Sequence, residues 1–189
     1  MAGDSKRKLA IMRIQEKYKK EIISGMKKEF GYKNDMAVPK IKKVVINTGI
    51  GRFRDNPKAI EDVEHSLALI AGQKPVYTLA KKAIASFKTR QGMKVGLKVT
   101  LRGQRMYDFL DRLVSFTLPR SRDFRGLEMT NIDHKGDFTI GIKEHIIFPE
   151  ISHEEVKTIF SLQVCISTNA KSKEEGLKLF RLMGFPIKK

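Results

Sequence analysis

Tryptophan is absent from this 189-residue chain, cysteine occurs once, and aromatic residues make up only 8%. So few flat side chains exclude base stacking as the main mode of any nucleic-acid contact. A lone Cys165 can form neither an internal disulfide nor a cysteine-based zinc cage, and it fits a reducing, cytoplasmic setting. No apolar stretch approaches the ~18 residues of a membrane span. Met1 to Tyr18 is charged throughout and has no apolar core of a secretory signal. Acidic residues are also scarce: 21 Asp+Glu stand against 38 Lys+Arg, for a net charge of +17. A surface this basic repels itself unless an anionic partner covers it. Hydrophobic residues reach 41%, enough for a core, so the chain is not a basic disordered tail.

The excess charge sits in two blocks. Residues 1–43 carry net +8 and residues 74–125 carry net +10, while 44–73 carry −1 and 126–189 are balanced. Ten net charges within 52 residues, interleaved with strand-like apolar residues, favour polyanion binding over a merely solvated face.

Periodicity predicts the elements. Leu9, Met12, Tyr18, Ile22 and Met26 mark a helix over 5–29 that Gly31 stops. Residues 41–48 read as a strand, with Val44 and Ile46 on one face and Lys43, Val45 and Asn47 on the other. Asp55 or Asn56 caps a second helix with Pro57 in its first turn, an apolar face of Ile60, Val63, Leu67 and Ile70, and an end at Gly72. A short strand over 75–79 leads into a weakly structured basic loop, 80–93, tipped by Gln91-Gly92. Residues 94–102 alternate most clearly: Val95, Leu97, Val99 and Leu101 face one way, Lys94, Lys98, Thr100 and Arg102 the other. A helix over 104–118 is stopped by Pro119, and a polar, turn-rich stretch runs to 136. Strands follow at Phe138–Ile142 and over 160–168. Ser172 with Glu175 is a capping box opening a last helix that ends at Gly184.

This order lacks a strict βαβ rhythm. It predicts an α+β fold: a largely antiparallel sheet with helices packed on one face, the other face and a basic loop being free for RNA. Without linker, repeat or low-complexity segment, 1–189 reads as one domain, with 1–20 as a basic N-terminal extension of the first helix.

Catalytic and cofactor motifs fail one by one. Gly49-Ile50-Gly51 begins like a dinucleotide fingerprint but lacks the third glycine and the acidic residue beyond it. There is no Gly-Lys-Ser/Thr of a P-loop. His65, His134, His145 and His153 are scattered, with no zinc spacing, so no metal or cofactor is expected. Cys165, mid-strand in an apolar run, reads as a buried small hydrophobe. Glu154-Glu155 and Glu174-Glu175 are neighbours that do not face each other on a helix, which does not suit acid/base work. An enzyme is not expected. A membrane-surface role for the basic first helix would need a cleaner apolar face.

The 94–102 strand offers a different chemistry. Its free face carries Lys98, Thr100 and Arg102, joined by Lys43 and Asn47 if the 41–48 strand lies in the same sheet. Lys and Arg neutralise phosphates; Thr and Asn hydrogen-bond phosphate, ribose or base edges. Lys81, Lys82, Lys88, Arg90 and Lys94, with Phe87, make the adjoining loop a basic arm able to follow a phosphate backbone.

In order along the chain, five segments then stand out: Val38-Pro39 through Asn47-Thr48-Gly49-Ile50-Gly51; Ala71-Gly72-Gln73-Lys74-Pro75; Phe87 to Gly92 with Lys98-Val99-Thr100-Leu101-Arg102-Gly103; Leu118-Pro119-Arg120-Ser121-Arg122-Asp123-Phe124-Arg125-Gly126-Leu127; and Ile146 to Ile151 with Gly184-Phe185-Pro186. With them, residues 32 to 187 resemble the family of protein five of the bacterial-type large ribosomal subunit. The resemblance implies a non-enzymatic protein of the central protuberance that holds 5S ribosomal RNA beside large-subunit rRNA and other 5S-associated ribosomal proteins. It also implies contacts with P-site tRNA and with a small-subunit head protein. The resemblance implies 5S RNA contacts at Asn47, Gln73 and Thr100; with Lys43, Lys98 and Arg102 as phosphate contacts, and with Thr48 and Lys74, these make up the expected rRNA-binding set. The tRNA-contact loop is Lys81, Lys82, Lys88, Arg90, Gln91 and Gly92, and the subunit bridge is Arg120, Arg122, Asp123 and Arg125. Two departures stand out. The N-terminus is longer and more basic than the family pattern, and 128–136, with His134-Lys135, lacks the family's Phe-Asp-Gly-Arg form.

Overall fold

The computed structural model describes residues 14–122, 124–152 and 156–188. Helices are α1 (Ile14–Lys17), α2 (Ile23–Phe30), α3 (Pro57–Ala71), α4 (Gly103–Arg112), α5 (Leu118–Arg120) and α6 (Lys173–Met183). Strands are β1 (Ile41–Gly49), β2 (Val76–Leu79), β3 (Lys94–Leu101), β4 (Phe138–Ile142) and β5 (Leu162–Thr168). The fold is α+β, with one antiparallel sheet in the order β2-β3-β1-β5-β4. The chain forms two compact units of interleaved segments. Of the described residues, one unit takes those within 14–42, 102–138 and 167–188; the other takes those within 43–101 and 139–166 and contains most of the sheet.

In the sheet-bearing unit, alternation decides the faces. Val44, Ile46 and Thr48 of β1, Leu97, Val99 and Leu101 of β3, and Leu162, Val164 and Ile166 of β5 are buried. α3 packs against β3 and buries Val63, Leu67 and Ile70. Burying such a side chain stabilises by roughly 1.5–3 kcal/mol. The helix starts where expected: Asn56 accepts the Ala59 N–H at 3.3 Å, and Gly72 closes it in the left-handed conformation. Gly96 is required by packing. A Cβ there would stand 2.8 Å from Thr78 Oγ1 and 2.9 Å from the Thr48 carbonyl oxygen.

The other unit buries Ile22 and Met26 of the first helical stretch with Met106, Phe109 and Leu110 of α4. Phe138, Phe180 and Phe185 form a ring cluster with centroids 5.0 to 5.9 Å apart. The Ile14 N–H donates to Asp111 at 2.8 Å, and Tyr18 donates to the Pro39 carbonyl at 3.0 Å. Ser172 caps α6 by accepting the Glu175 N–H, while the Glu175 carboxylate accepts the Lys171 N–H.

Three expectations change. The expected start of the first helix, with residues 1–13 of the basic extension, lies outside the described residues. From Ile14 onward that helix runs through a π-helical stretch, Tyr18–Ile22. Pro119 does not stop its helix: α4 passes through a second π-helical stretch, Leu113–Thr117, into α5, which contains Pro119 and ends before Ser121. The wider turn lets Leu118 bond the Leu113 carbonyl five residues back, so the proline's missing N–H is absorbed at a register shift. Cys165 is half-buried on the outward face of β5, not sealed in the core. It is the weak acceptor of a 3.8 Å contact from the Thr139 hydroxyl.

Candidate nucleic-acid interface

The outward face of the sheet is assembled by register. β1 and β3 pair antiparallel, with Val45 opposite Thr100, Asn47 opposite Lys98 and Gly49 opposite Gly96. Directly opposed residues share a face and stand ~5 Å apart. β2 adds Val76 opposite Lys98 and Thr78 opposite Gly96. Asn47 and Lys98 are exposed, and Lys43 and Thr100 half-exposed. Gln73, just past the end of α3, donates through Nε2 to the Thr100 carbonyl at 3.5 Å, so it stands at the edge of the same patch with exposed Lys74 beside it. Expected residues 43, 47, 73, 98 and 100, scattered over 58 positions of chain, thus meet on one surface.

Three expectations about this face are corrected. Thr48 is 2% exposed, and its hydroxyl donates to the Ser161 carbonyl at 2.7 Å, so its side chain belongs to the buried face and cannot reach RNA on the outward one. β3 ends at Leu101. Arg102 is exposed but serves as the N-cap residue of α4 and is not a strand position. Lys94 leaves the outward row, because a register shift at Thr78/Leu79 interrupts the β2–β3 pairing. Its ammonium lies 3.9 Å from the ring centroid of Tyr77, whose hydroxyl bonds the Glu64 carboxylate. That hydroxyl, held by the carboxylate and partly desolvated, titrates high, at about 12.

The basic loop is more ordered than expected. Ala80 donates to the Met93 carbonyl at 2.8 Å, Gly92 to Ala80 at 3.0 Å, and Ile84 and Thr89 exchange bonds at 2.9 and 3.1 Å. These bonds make 80–93 an extension of the β2–β3 hairpin. Its tip is not Gln91-Gly92, which sits at the base. The tip is Ala85–Phe87 followed by Lys88, held at φ +49. Lys81, Lys82, Lys88, Arg90, Gln91 and Gly92 are all exposed. Phe87 is 72% and Ile84 47% exposed, so the tip shows apolar groups ringed by cations. Arg54 secures it, donating to the carbonyls of Phe87 and Lys88 at 3.4 and 3.3 Å. Sequence reading missed Arg54, since nothing in the residues ties position 54 to a turn 33 positions on.

Arg120, Arg122 and Arg125 are exposed in the other unit, at and just after the end of α5. Asp123 lies outside the described residues, as do His153 and the Glu154-Glu155 pair. Leu127 fixes the end of this segment by bridging to Ile187, with its N–H on the Pro186 carbonyl at 2.8 Å.

His145 is the one strongly perturbed imidazole among the described residues. Burial is the dominant influence on it and pushes it down to about 4. It stacks on the Phe160 ring at 4.0 Å and accepts that residue's N–H through Nδ1 at a long 3.5 Å. It is a neutral packing group. Among the described residues no three His, Cys, Asp or Glu side chains cluster in a way that could hold a metal.

Residues 34–90 match the family model described as "Ribosomal protein L5", and residues 94–187 match the model that describes the C-terminus of the same ribosomal family. The boundary between the two matches falls in the arm, and does not follow the two compact units. The chain is 50% identical over 177 residues to the large ribosomal subunit protein uL5 of Thermoanaerobacter sp. (strain X514), covering 94% of this chain and 99% of that one. It is 48% identical over 177 residues to the uL5 of Alkaliphilus oremlandii (strain OhILAs), and 50% identical over 175 residues to that of Clostridium perfringens (strain 13 / Type A). The latter alignment covers 93% of this chain and 98% of its relative. With both family models in sequence order and half of all positions shared along nearly the whole length, the chain belongs to the ribosomal protein L5 family.

Proposed function

We propose that this protein holds 5S ribosomal RNA on the outward face of its sheet, beside large-subunit rRNA and other 5S-associated proteins. As a member of its family it is a structural, non-enzymatic constituent of the large ribosomal subunit, working in the cytoplasm. The finer reading rests on one observation above others: register brings Asn47 opposite Lys98, with Thr100 and Gln73 adjoining, on a face that carries Lys43 and lacks carboxylates at its β1 and β3 positions. Lys43 and Lys98 supply counterion release, which gives affinity without sequence choice. Asn47, Gln73 and Thr100 supply fixed donors and acceptors, which set register on one RNA.

The arm at 80–93 is the proposed contact to P-site tRNA. Its exposed Lys81, Lys82, Lys88 and Arg90 on a hydrogen-bonded hairpin suit a backbone contact at a distance from the sheet. Arg120, Arg122 and Arg125 are the proposed bridge to a small-subunit head protein.

The test compares binding of the whole protein to 5S rRNA and to tRNA from about 50 to about 300 mM salt. Retained 5S affinity while tRNA affinity collapses supports a specific site; equal affinities falling together leave only a general polyanion binder. Thr100→Ala should cost about 1–3 kcal/mol of 5S affinity. An unchanged dissociation constant removes Thr100 from the site.

A further inference from the structure

Two glycines on the outward face are not demanded by the fold. Gly49 ends β1 and Gly141 lies within β4; both are exposed, and neither has a left-handed φ. A Cβ at either would meet no atom within 4 Å. This contrasts with Gly96, which close neighbours require. Glycine weakens a strand, and one that neither a left-handed φ nor close packing demands leaves bare backbone that a ligand can approach closely.

The two glycines border one hollow of about 460 Å³, which Asn47, Gln163, Ser161 and Lys143 also line. All belong to the sheet-bearing unit. Asn47, Gln163 and Lys143 are exposed, whereas the apolar liners Ile142 and Leu162 are buried. The open walls are therefore two neutral amides, the Ser161 hydroxyl and one cation over a floor of bare backbone, with no carboxylate among the lining residues. Side-chain amides offer paired donors and acceptors, the groups that read base edges, and RNA presents such edges where a nucleotide leaves the stack. A protein segment would find no exposed apolar side chain to bury here.

We infer that this hollow seats one unstacked nucleotide of the bound RNA. Its flat base lies on the backbone at Gly49 and Gly141, Asn47 and Gln163 hydrogen-bond its edge, and Lys143 meets its phosphate. The inference rests on the outward face being the RNA surface, and it extends that surface from β1 and β3 across β5 to β4.

The test measures 5S rRNA affinity of the full-length protein carrying Gly141→Val, Gln163→Ala or Lys98→Ala, with the thermal midpoint of each. Gly141→Val fills the floor and should weaken binding about tenfold, and Gln163→Ala about fivefold, each without a lower midpoint. If both bind within about twofold of the parent while Lys98→Ala weakens binding, the seat is refuted and the RNA face stands. If all three are unchanged, both readings fall. Should Gly141→Val unfold, Gln163→Ala decides alone, because an exposed amide on a strand surface contributes little to the fold. Unchanged RNA affinity with weakened retention of neighbouring ribosomal proteins would assign the hollow to a protein and overturn the inference.

Discussion

Gly96→Ala tests whether the spacing of β1, β2 and β3 is set by this one missing side chain. The new Cβ would lie 2.8 Å from Thr78 Oγ1 and 2.9 Å from the Thr48 carbonyl oxygen. The threonine hydroxyl can rotate away at small cost. The carbonyl belongs to β1, whose Thr48 side chain is itself fixed to Ser161, so relief there moves the strand. Such overpacking costs about 1–3 kcal/mol. The lost glycine entropy returns about 0.4–1 kcal/mol, leaving a net destabilisation near 1–2 kcal/mol. For a chain of this size that lowers the thermal midpoint by roughly 2–8 °C. Gly141→Ala is the matched control: its Cβ meets nothing, so it should be neutral or stabilising by up to about 1 kcal/mol. Adding Thr78→Ala to Gly96→Ala should restore only part of the loss, because the carbonyl contact remains. The reasoning extends to function, since a displaced β1 shifts Asn47 against Lys98 and 5S affinity should fall with stability. Equal midpoints for Gly96→Ala and Gly141→Ala would refute it.

Arg54→Ala removes two long, exposed bonds to the arm's tip, together on the order of 0.5–1 kcal/mol. Tryptic cleavage at Lys88 and Arg90 should quicken about two- to fivefold with the global midpoint unchanged, and an unaltered cleavage rate would show that Arg54 does not hold the arm. His145 gives a pH signature. Its folded value of about 4 lies below the ordinary 6.5, so between these the unfolded chain binds a proton that the folded chain does not. Its contribution is full above pH 6.5 and is lost as pH falls toward 4, on the order of 1–3 kcal/mol. Urea midpoints from pH 6.5 to 4.5 should fall less steeply in His145→Phe than in the parent, and parallel slopes would contradict the assignment.

Legibility in the sequence followed the range of the interactions. Alternation in 41–47 and 97–101 was enough to sort side chains between faces, because one face of each strand is buried and takes the apolar residues. Caps were legible for the same local reason: Asn56, Ser172, Gly31, Gly72 and Gly184 act within one turn of their own position. Pro119 misled because a proline's effect depends on whether the helix can shift register before it, and the π-helical stretch does so. Thr48 misled because it borders Asn47 in sequence, yet period two turns adjacent residues to opposite faces. The arm looked loose because its order comes from backbone bonds across the hairpin and from Arg54, neither of which carries a residue signature. Gln163 and Gly141 stayed hidden because only the strand order β1-β5-β4 brings them beside Asn47.

The central claim separates two basic surfaces of one protein, a sheet face for 5S rRNA and an arm for tRNA. Its most direct test is the dissociation constant for 5S rRNA, at one fixed salt concentration, of Asn47→Ala/Lys98→Ala against Lys88→Ala/Arg90→Ala. Each pair removes exposed side chains and leaves the core untouched. The account predicts a loss of tenfold or more, about 1.4 kcal/mol, for the sheet pair and no more than about threefold for the arm pair. Equal losses, or a larger loss from the arm, would contradict it.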